Sequence, residues 1–271
     1  MFRLLLSWPL WLMLASEAVA FSLPSALPEL PAADDNSALP DAAGLEQLAR
    51  TDPVAFMRAC LRRYDREVKG YRCNFVKQER LGGKLQHTEV IDVSFREDPF
   101  SVLFDWREGA RLASKVLYVK GQNNGQMYVR PGGWRGVLVS VVSRDPEGSD
   151  AKESSRYPIT EFGVKKGLER AIAAWGDAQR EGSLKYEYRG KRKVPELGDR
   201  PCYVLHRYGY RQPEEDGITD AILYYDVETW LQTGSTLKGA EGQLIGEYWF
   251  RDVKLNPAFP PDTFTRAALT K

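Results

Sequence analysis

The 271-residue chain carries 38 Lys and Arg against 37 Asp and Glu, a formal net charge of +1. That balance excludes the basic excess that a nucleic-acid partner or a strongly anionic membrane surface requires. Eleven Phe, 13 Tyr and seven Trp supply bulk for a sizeable core, and the length admits one large domain or two small ones.

The chain opens Met1-Phe2-Arg3, continues with an apolar run over 4–15 and reaches Ala18-Val19-Ala20, a small-x-small pattern. This is the layout of a secretory signal peptide over 1–20, cleaved after Ala20. Pro9 interrupts the apolar run, which is shorter than the roughly 20 residues that span a bilayer; an uncleaved anchor is the alternative reading. No cysteine follows the cleavage site, so a lipoprotein is not expected. No second long apolar run occurs, so the mature chain is expected to lack a transmembrane segment and to work in the periplasm. Residues 21–43 are rich in Pro, Ala, Ser and Asp and read as a flexible leader. Residues 44–271 are expected to form a single domain.

A short helix is expected over 42–50. A stronger one starts at Thr51-Asp52-Pro53, where Thr51 or Asp52 caps and Pro53 suits the first turn. Val54, Met57, Leu61, Tyr64 and Val68 then recur at helical spacing as one packing stripe, and Gly70 ends it. From Tyr71 the period changes to two: Tyr71, Cys73 and Phe75 alternate with polar neighbours, then Ile91, Val93 and Phe95, then Phe100, Val102, Phe104 and Trp106. Further strands are predicted over 115–120, 126–130 and 134–142, with a Gly-Asn turn at 121–125. Residues 143–157 read as a polar loop and 159–180 as a second helix with Val164, Leu168, Ala171 and Trp175 on one face. Five more strands follow, over 184–193, 202–210, 219–226, 231–237 and 244–253, before an irregular tail anchored by Phe264. Short turns between successive strands favour a meander. The expected fold is α+β: a strongly curved antiparallel sheet of about eleven strands, an unclosed β-barrel, wrapped around its helices.

The three cysteines, Cys60, Cys73 and Cys202, allow three pairings in an oxidising compartment. Cys73–Cys202 is the expected disulfide because it would staple an early strand to a late one, with Cys60 a buried apolar residue on its helix. Nucleotide-binding, zincin and nucleophile-elbow motifs do not occur. With His87 and His206 the only histidines, no catalytic residue, metal site or cofactor is assigned. Cys202 lies about 13 Å along one strand from His206, too far for a dyad within that strand. The acidic groups Glu214-Glu215-Asp216 and Asp145 with Glu147 read as solvated loops, and the basic run Arg189, Lys191, Arg192, Lys193 as a solvated turn, with phosphate contact as its rival. Lys77-Gln78-Glu79-Arg80 reads as a charged strand end with cross-strand ion pairs or, alternatively, as a polar rim that touches a ligand. The aromatic strand faces, with Tyr224, Trp249 and Phe250 adding bulk late in the chain, fit a filled core or an apolar cavity.

The segment order and the run Tyr71-Arg72-Cys73-Asn74-Phe75-Val76-Lys77-Gln78-Glu79-Arg80 resemble an exported bacterial family known only as a domain of unknown function. Pro99-Phe100-Ser101-Val102, Val116-Leu117-Tyr118-Val119-Lys120-Gly121 with Asn123-Asn124-Gly125, Tyr157-Pro158-Ile159-Thr160 and Arg200-Pro201-Cys202 fit the same family. The likeness covers roughly residues 50–266. More broadly, the layout is similar to the periplasmic lipoprotein carriers LolA and LolB, which implies an unclosed barrel with helices at its mouth. By that analogy the expected function is a non-enzymatic periplasmic binding protein holding a lipid or lipoprotein acyl chain, with Phe100, Phe104, Trp106, Tyr118 and Trp249 as lining residues. The rivals are a cell-envelope interaction or sensor module, which would meet its protein partner through a strand edge or the 143–157 loop, and a hydrolase of unknown type.

Overall fold

The computed structural model describes residues 38–133, 141–210 and 217–270. The expected signal peptide, most of the leader, most of the 134–142 strand and the Glu214-Glu215-Asp216 cluster lie outside the described residues. Two helices come first, α1 (Ala42–Thr51) and α2 (Pro53–Glu67). The Asp41 carboxylate accepts from the Gly44 N–H at 2.7 Å, and Asp52 accepts from the Ala55 N–H at 2.9 Å. Such N-caps stabilise a helix by about 1 kcal/mol each. The buried face of α2 is wider than the predicted stripe: Phe56, Ala59 and Cys60 join Val54, Met57 and Tyr64. Phe56 meets the rings of Tyr203 and Tyr225 edge-on at 5.6 and 5.0 Å.

Strands β1 (Gly70–Leu81), β2 (Lys84–Leu85), β3 (Glu89–Arg96), β4 (Ser101–Glu108), β5 (Ala113–Val119), β6 (Met127–Pro131) and β7 (Val142–Arg144) make up the first half of the sheet. Helices α3 (Ser149–Ser154) and α4 (Val164–Arg180) follow, then β8 (Tyr186–Val194), β9 (Arg200–Arg207), β10 (Asp220–Asp226), β11 (Gln232–Lys238) and β12 (Leu244–Leu255). All strand pairs are antiparallel and belong to one sheet in the order β7-β6-β5-β4-β3-β1-β12-β11-β10-β9-β8, with β2 paired to β1 beside that path. The edge strands β7 and β8 are not paired with each other, so the sheet is an unclosed barrel, as the alternation of the strands predicts. The 143–157 segment departs from expectation. It is not a free loop: it supplies β7 and α3, short elements whose polar composition hides them from periodicity.

Helix α4 lies antiparallel to α2 on the concave side. Lys165 at its start bonds Asp65 at 2.6 Å, and Gln179 near its end reaches Asp52 at 3.3 Å. Gly163 precedes α4 at φ +124, where a Cβ would stand 3.3 Å from the Tyr71 hydroxyl and 3.4 Å from the Phe95 ring. That close approach lets the Val164 N–H donate to the Tyr71 hydroxyl at 3.3 Å. Tyr71 is fully buried and stacks on Phe95, 4.7 Å between centroids. On the convex face the irregular tail seats Phe264 and Leu269 against Leu117, Val119 and Val141, so Phe264 anchors the tail as expected.

The expected Cys73–Cys202 disulfide is absent; all three cysteines are free and buried. Three strands separate β1 from β9, roughly 19 Å at the usual spacing between neighbours. The two side chains also belong to clusters on opposite faces, Cys73 with Phe75 and Phe95, Cys202 with Val76 and Trp249. A disulfide needs Cα atoms within about 7 Å.

Asp226 closes the β10–β11 hairpin. Its carboxylate accepts from the Glu228 and Thr229 N–H groups, the Thr229 hydroxyl and, at 2.6 Å, the Arg200 guanidinium. Burial alone would raise its pKa, but these donors outweigh it and hold the group below the usual carboxylate value. Its contribution to stability is therefore full above about pH 4 and lost as pH falls through the lowered folded value. Asp226→Asn should flatten the acid limb of the stability–pH profile in chemical unfolding; an unchanged limb would show that other carboxylates dominate it. Gly163→Val should cost about 1–3 kcal/mol in the same assay through strain at positive φ and displacement of Tyr71.

Candidate functional site

The alternation of the strands turns one row of side chains inward from both halves of the sheet. From the first half come Phe75, Ile91, Phe104, Trp106, Val116 and Met127; from the second, Ala221, Leu223, Leu237, Tyr248 and Phe250. Together with α4, α3 and the connecting segment through Tyr157, Ile159 and Phe162 they enclose a cavity of about 230 Å³. One water needs only about 10–15 Å³ of such space. The hollow has a local cause. The cavity side of α4 carries Gly167, Ala171 and Ala174, too small to reach the opposite wall. Phe162 fills part of the space, edge-on to Phe104 at 4.7 Å and to Phe75 at 5.2 Å.

One stretch of wall is polar. Lys77, Glu79 and Glu89 are 7 %, 3 % and 6 % exposed, on the same strand faces as Phe75 and Ile91. Lys77 Nζ lies 2.8 Å from Glu79 Oε2 and 3.5 Å from Glu89 Oε1. Trp106 Nε1–H donates to Glu89 at 2.6 Å, the Tyr248 hydroxyl donates to Glu79 Oε1 at 2.8 Å, and Ser155 bridges Lys77 and Glu79 at 3.3 and 3.4 Å. Gly246 lies opposite Glu79 across the β1–β12 pair, and its missing side chain leaves the space through which Tyr248 folds back; a Cβ there would come 2.8 Å from the Tyr248 hydroxyl. Burial alone would lower the Lys77 pKa, but Glu79 and Glu89 more than reverse this, so it stays above the ordinary lysine value and the ammonium is the resident form. Burial, then the charge of Glu79, pushes the Tyr248 phenol well above its usual range, so it remains a donor.

The run Lys77-Gln78-Glu79-Arg80 forms the expected cross-strand ion pair, Lys77 with Glu89 opposite it on β3, but forms it inside the barrel. Lys77 and Glu79 point into the barrel, and Gln78 and Arg80 point away. The inward parity of Tyr71, Cys73 and Phe75 extends to 77 and 79, which is the signal that could have found them. Glu89 has the same relation to Ile91, Val93 and Phe95.

Of the residues expected to line a cavity, Phe104 and Trp106 stand on its wall. Phe100 and Tyr118 lie on the same inner face, 6.0 Å apart, but pack in the core away from the wall. Trp249 requires correction. It faces the convex side with Val76, Cys202 and Val204, its ring lying over Gly234 where no Cβ fits. Its neighbours Tyr248 and Phe250 face the cavity instead; three successive aromatics conceal which parity points inward.

His206 also faces the convex side. Its Nδ1 accepts from Arg189 at 2.6 Å and its Nε2–H donates to Asp220 at 2.6 Å. Burial pushes the Cys202 thiol up to about 12, which disfavours the thiolate needed for nucleophilic chemistry. Among the described residues no group of three or more His, Cys, Asp or Glu side chains could hold a metal ion, and no helix is long and apolar enough to cross a membrane.

Fold and cavity define a class: an unclosed antiparallel barrel with helices over a hollow, largely apolar interior. Residues 68–268 match the family described as "Protein of unknown function (DUF1571)", and the chain belongs to that family. No curated protein matches it. Solved structures with a similar fold include the Pseudomonas aeruginosa MucA/MucB complex, 19 % identical over 79 % of this chain and 60 % of the other, TM-score 0.45. The Mycobacterium tuberculosis lipoprotein LppX is 10 % identical over 77 % and 99 %, TM-score 0.42, and a LolA superfamily protein from Nitrosomonas europaea 10 % over 79 % and 99 %, TM-score 0.32. Likeness at this level does not extend to ligand or partner.

Removing the cation from between two buried carboxylates should be expensive. Lys77→Met is expected to destabilise the fold by about 3–5 kcal/mol in urea unfolding. A loss under about 1 kcal/mol would mean that the cluster is hydrated and loosely coupled.

Proposed function

We propose that the protein is a periplasmic, non-enzymatic binding protein whose cavity holds the apolar chain of a lipid or of a lipoprotein anchor. The observation that carries this reading is the hollow itself. Aromatic and aliphatic side chains from both halves of one sheet face small residues on α4 across about 230 Å³. Sites for small apolar ligands are concave, mostly apolar and largely pre-formed, with a few placed polar groups; this cavity has that character. The 143–157 segment supports the same reading, because Ala151, Ser154, Ser155 and Tyr157 are part of the cavity wall.

Native mass spectrometry of gently purified protein should find a bound amphiphile, and a fluorescent acyl probe should bind and be displaced by lipid. Ala171→Phe projects a ring into the hollow. It is expected to weaken probe binding at least about tenfold while leaving thermal stability unchanged or raised by about 0.5–2 kcal/mol, the usual gain from filling a void. No co-purifying amphiphile together with no probe binding would remove the proposal.

A further inference from the structure

The polar stretch of the cavity wall can be read for the ligand end it accepts, a step that rests on the cavity being a binding site. Every donor in the cluster is already engaged. The three protons of the Lys77 ammonium face Glu79, Glu89 and Ser155; the Ser155 and Tyr248 hydroxyls and the Trp106 N–H point at the two carboxylates. Acceptor capacity is left over. A carboxylate has about four lone-pair positions; Glu79 Oε1 takes one hydrogen bond, from Tyr248, and Glu79 lines the cavity.

The charges are balanced: Lys77 and Arg170 stand against Glu79 and Glu161 on the wall, and Glu89 and Arg156 adjoin it with one charge of each sign, so selection falls to the hydrogen-bonding groups. Arg170 is turned to Glu161, whose carbonyl it bonds at 3.1 Å, and lies over the Tyr157 ring at 4.2 Å. Arg156 bears on Tyr248 but is not part of the wall. Gln232 and Ser235, on the other half of the sheet, add only neutral groups.

We propose that the cavity selects amphiphiles whose polar end donates hydrogen bonds, a hydroxyl or an ammonium on an apolar body, with Glu79 as the acceptor. A carboxylate or phosphate end would meet two carboxylates and no uncommitted proton at this cluster, and an unpaired buried charge is strongly disfavoured.

The experiment is displacement of a fluorescent acyl probe from the purified protein by dodecylamine, dodecanol, dodecanoate and dodecyl phosphate, each below its micelle-forming concentration. The amine, or the amine and the alcohol, should displace the probe at concentrations at least about tenfold below the two anions. Success of the amine alone assigns an ammonium; success of both assigns any donor. Glu79→Gln, which replaces acceptor capacity with a donor, should narrow that gap. Tyr248→Phe, which frees the occupied lone pair, should widen it, so two opposite shifts test the assignment and one variant's failure to fold leaves the other. Equal displacement by all four, tighter binding of an anion, or a gap unchanged in both variants overturns the inference while the cavity reading stands. No displacement by any of them overturns both.

Discussion

The β1–β12 ladder holds the molecule together as one object. Everything from β3 to β7 follows β1, and everything from β8 to β11 leads up to β12, so among the described residues the two meanders share strand hydrogen bonds through this pair alone. Its register sets the site: Phe75 faces Phe250, Lys77 faces Tyr248 and Glu79 faces Gly246. Since side chains alternate with period two, a slip of one residue would turn the polar cluster outward and the Trp249 face inward. The partners lie some 170 positions apart in the chain, a non-local pairing that must overcome a large loop entropy before it gains contacts. The helix between the halves supplies part of what compensates. Helix α4 is docked on the first half by the Tyr71–Val164 hydrogen bond and on α2 by Lys165–Asp65.

That docking also explains why the interior is hollow on one side and full on the other. Where α4 presents Leu168 and Ile172, packing is tight and these side chains are almost wholly buried. Where it presents Gly167, Ala171 and Ala174, the opposite wall of Phe104, Trp106 and Tyr248 is left unfilled. One helix, held at one distance by the close approach at Gly163, thus produces both a core and a cavity.

Much of this was readable in the residues. Period-two runs placed nearly all the strands, the caps at Asp52 and the stripe on α2 placed the helix, and short turns implied the meander. Three things were not readable, each for a physical reason. The short α3 has no stripe, because Ala151 is its one apolar residue and its other side chains are polar. The facing of Trp249 is ambiguous because aromatics at 248, 249 and 250 satisfy both parities. The cysteines looked like a staple because strand membership was known but strand order was not; with β12, β11 and β10 between their strands and opposite faces, they never meet. Lys77 and Glu79 stand out in the residues as a charged run, and parity, the stronger signal within a strand whose earlier members point inward, decides which way they face.

The magnitude of the void argues that it is retained for use. Apolar surface left uncovered along such a hollow forgoes about 25 cal/mol per Å² of stabilisation. Whole domains of this kind are stable by only about 5–15 kcal/mol. A single larger side chain at Ala171 or Ala174 would recover part of that without touching a strand. The same holds for the polar cluster: a buried Lys with two carboxylates is seldom better for stability than apolar residues of equal volume. A chain shaped by folding alone would carry a bulkier helix face and apolar residues in place of Lys77, Glu79 and Glu89 together. It carries neither, and the two departures from best packing lie on opposite sides of one cavity, where a molecule with an apolar body and a polar end would satisfy both.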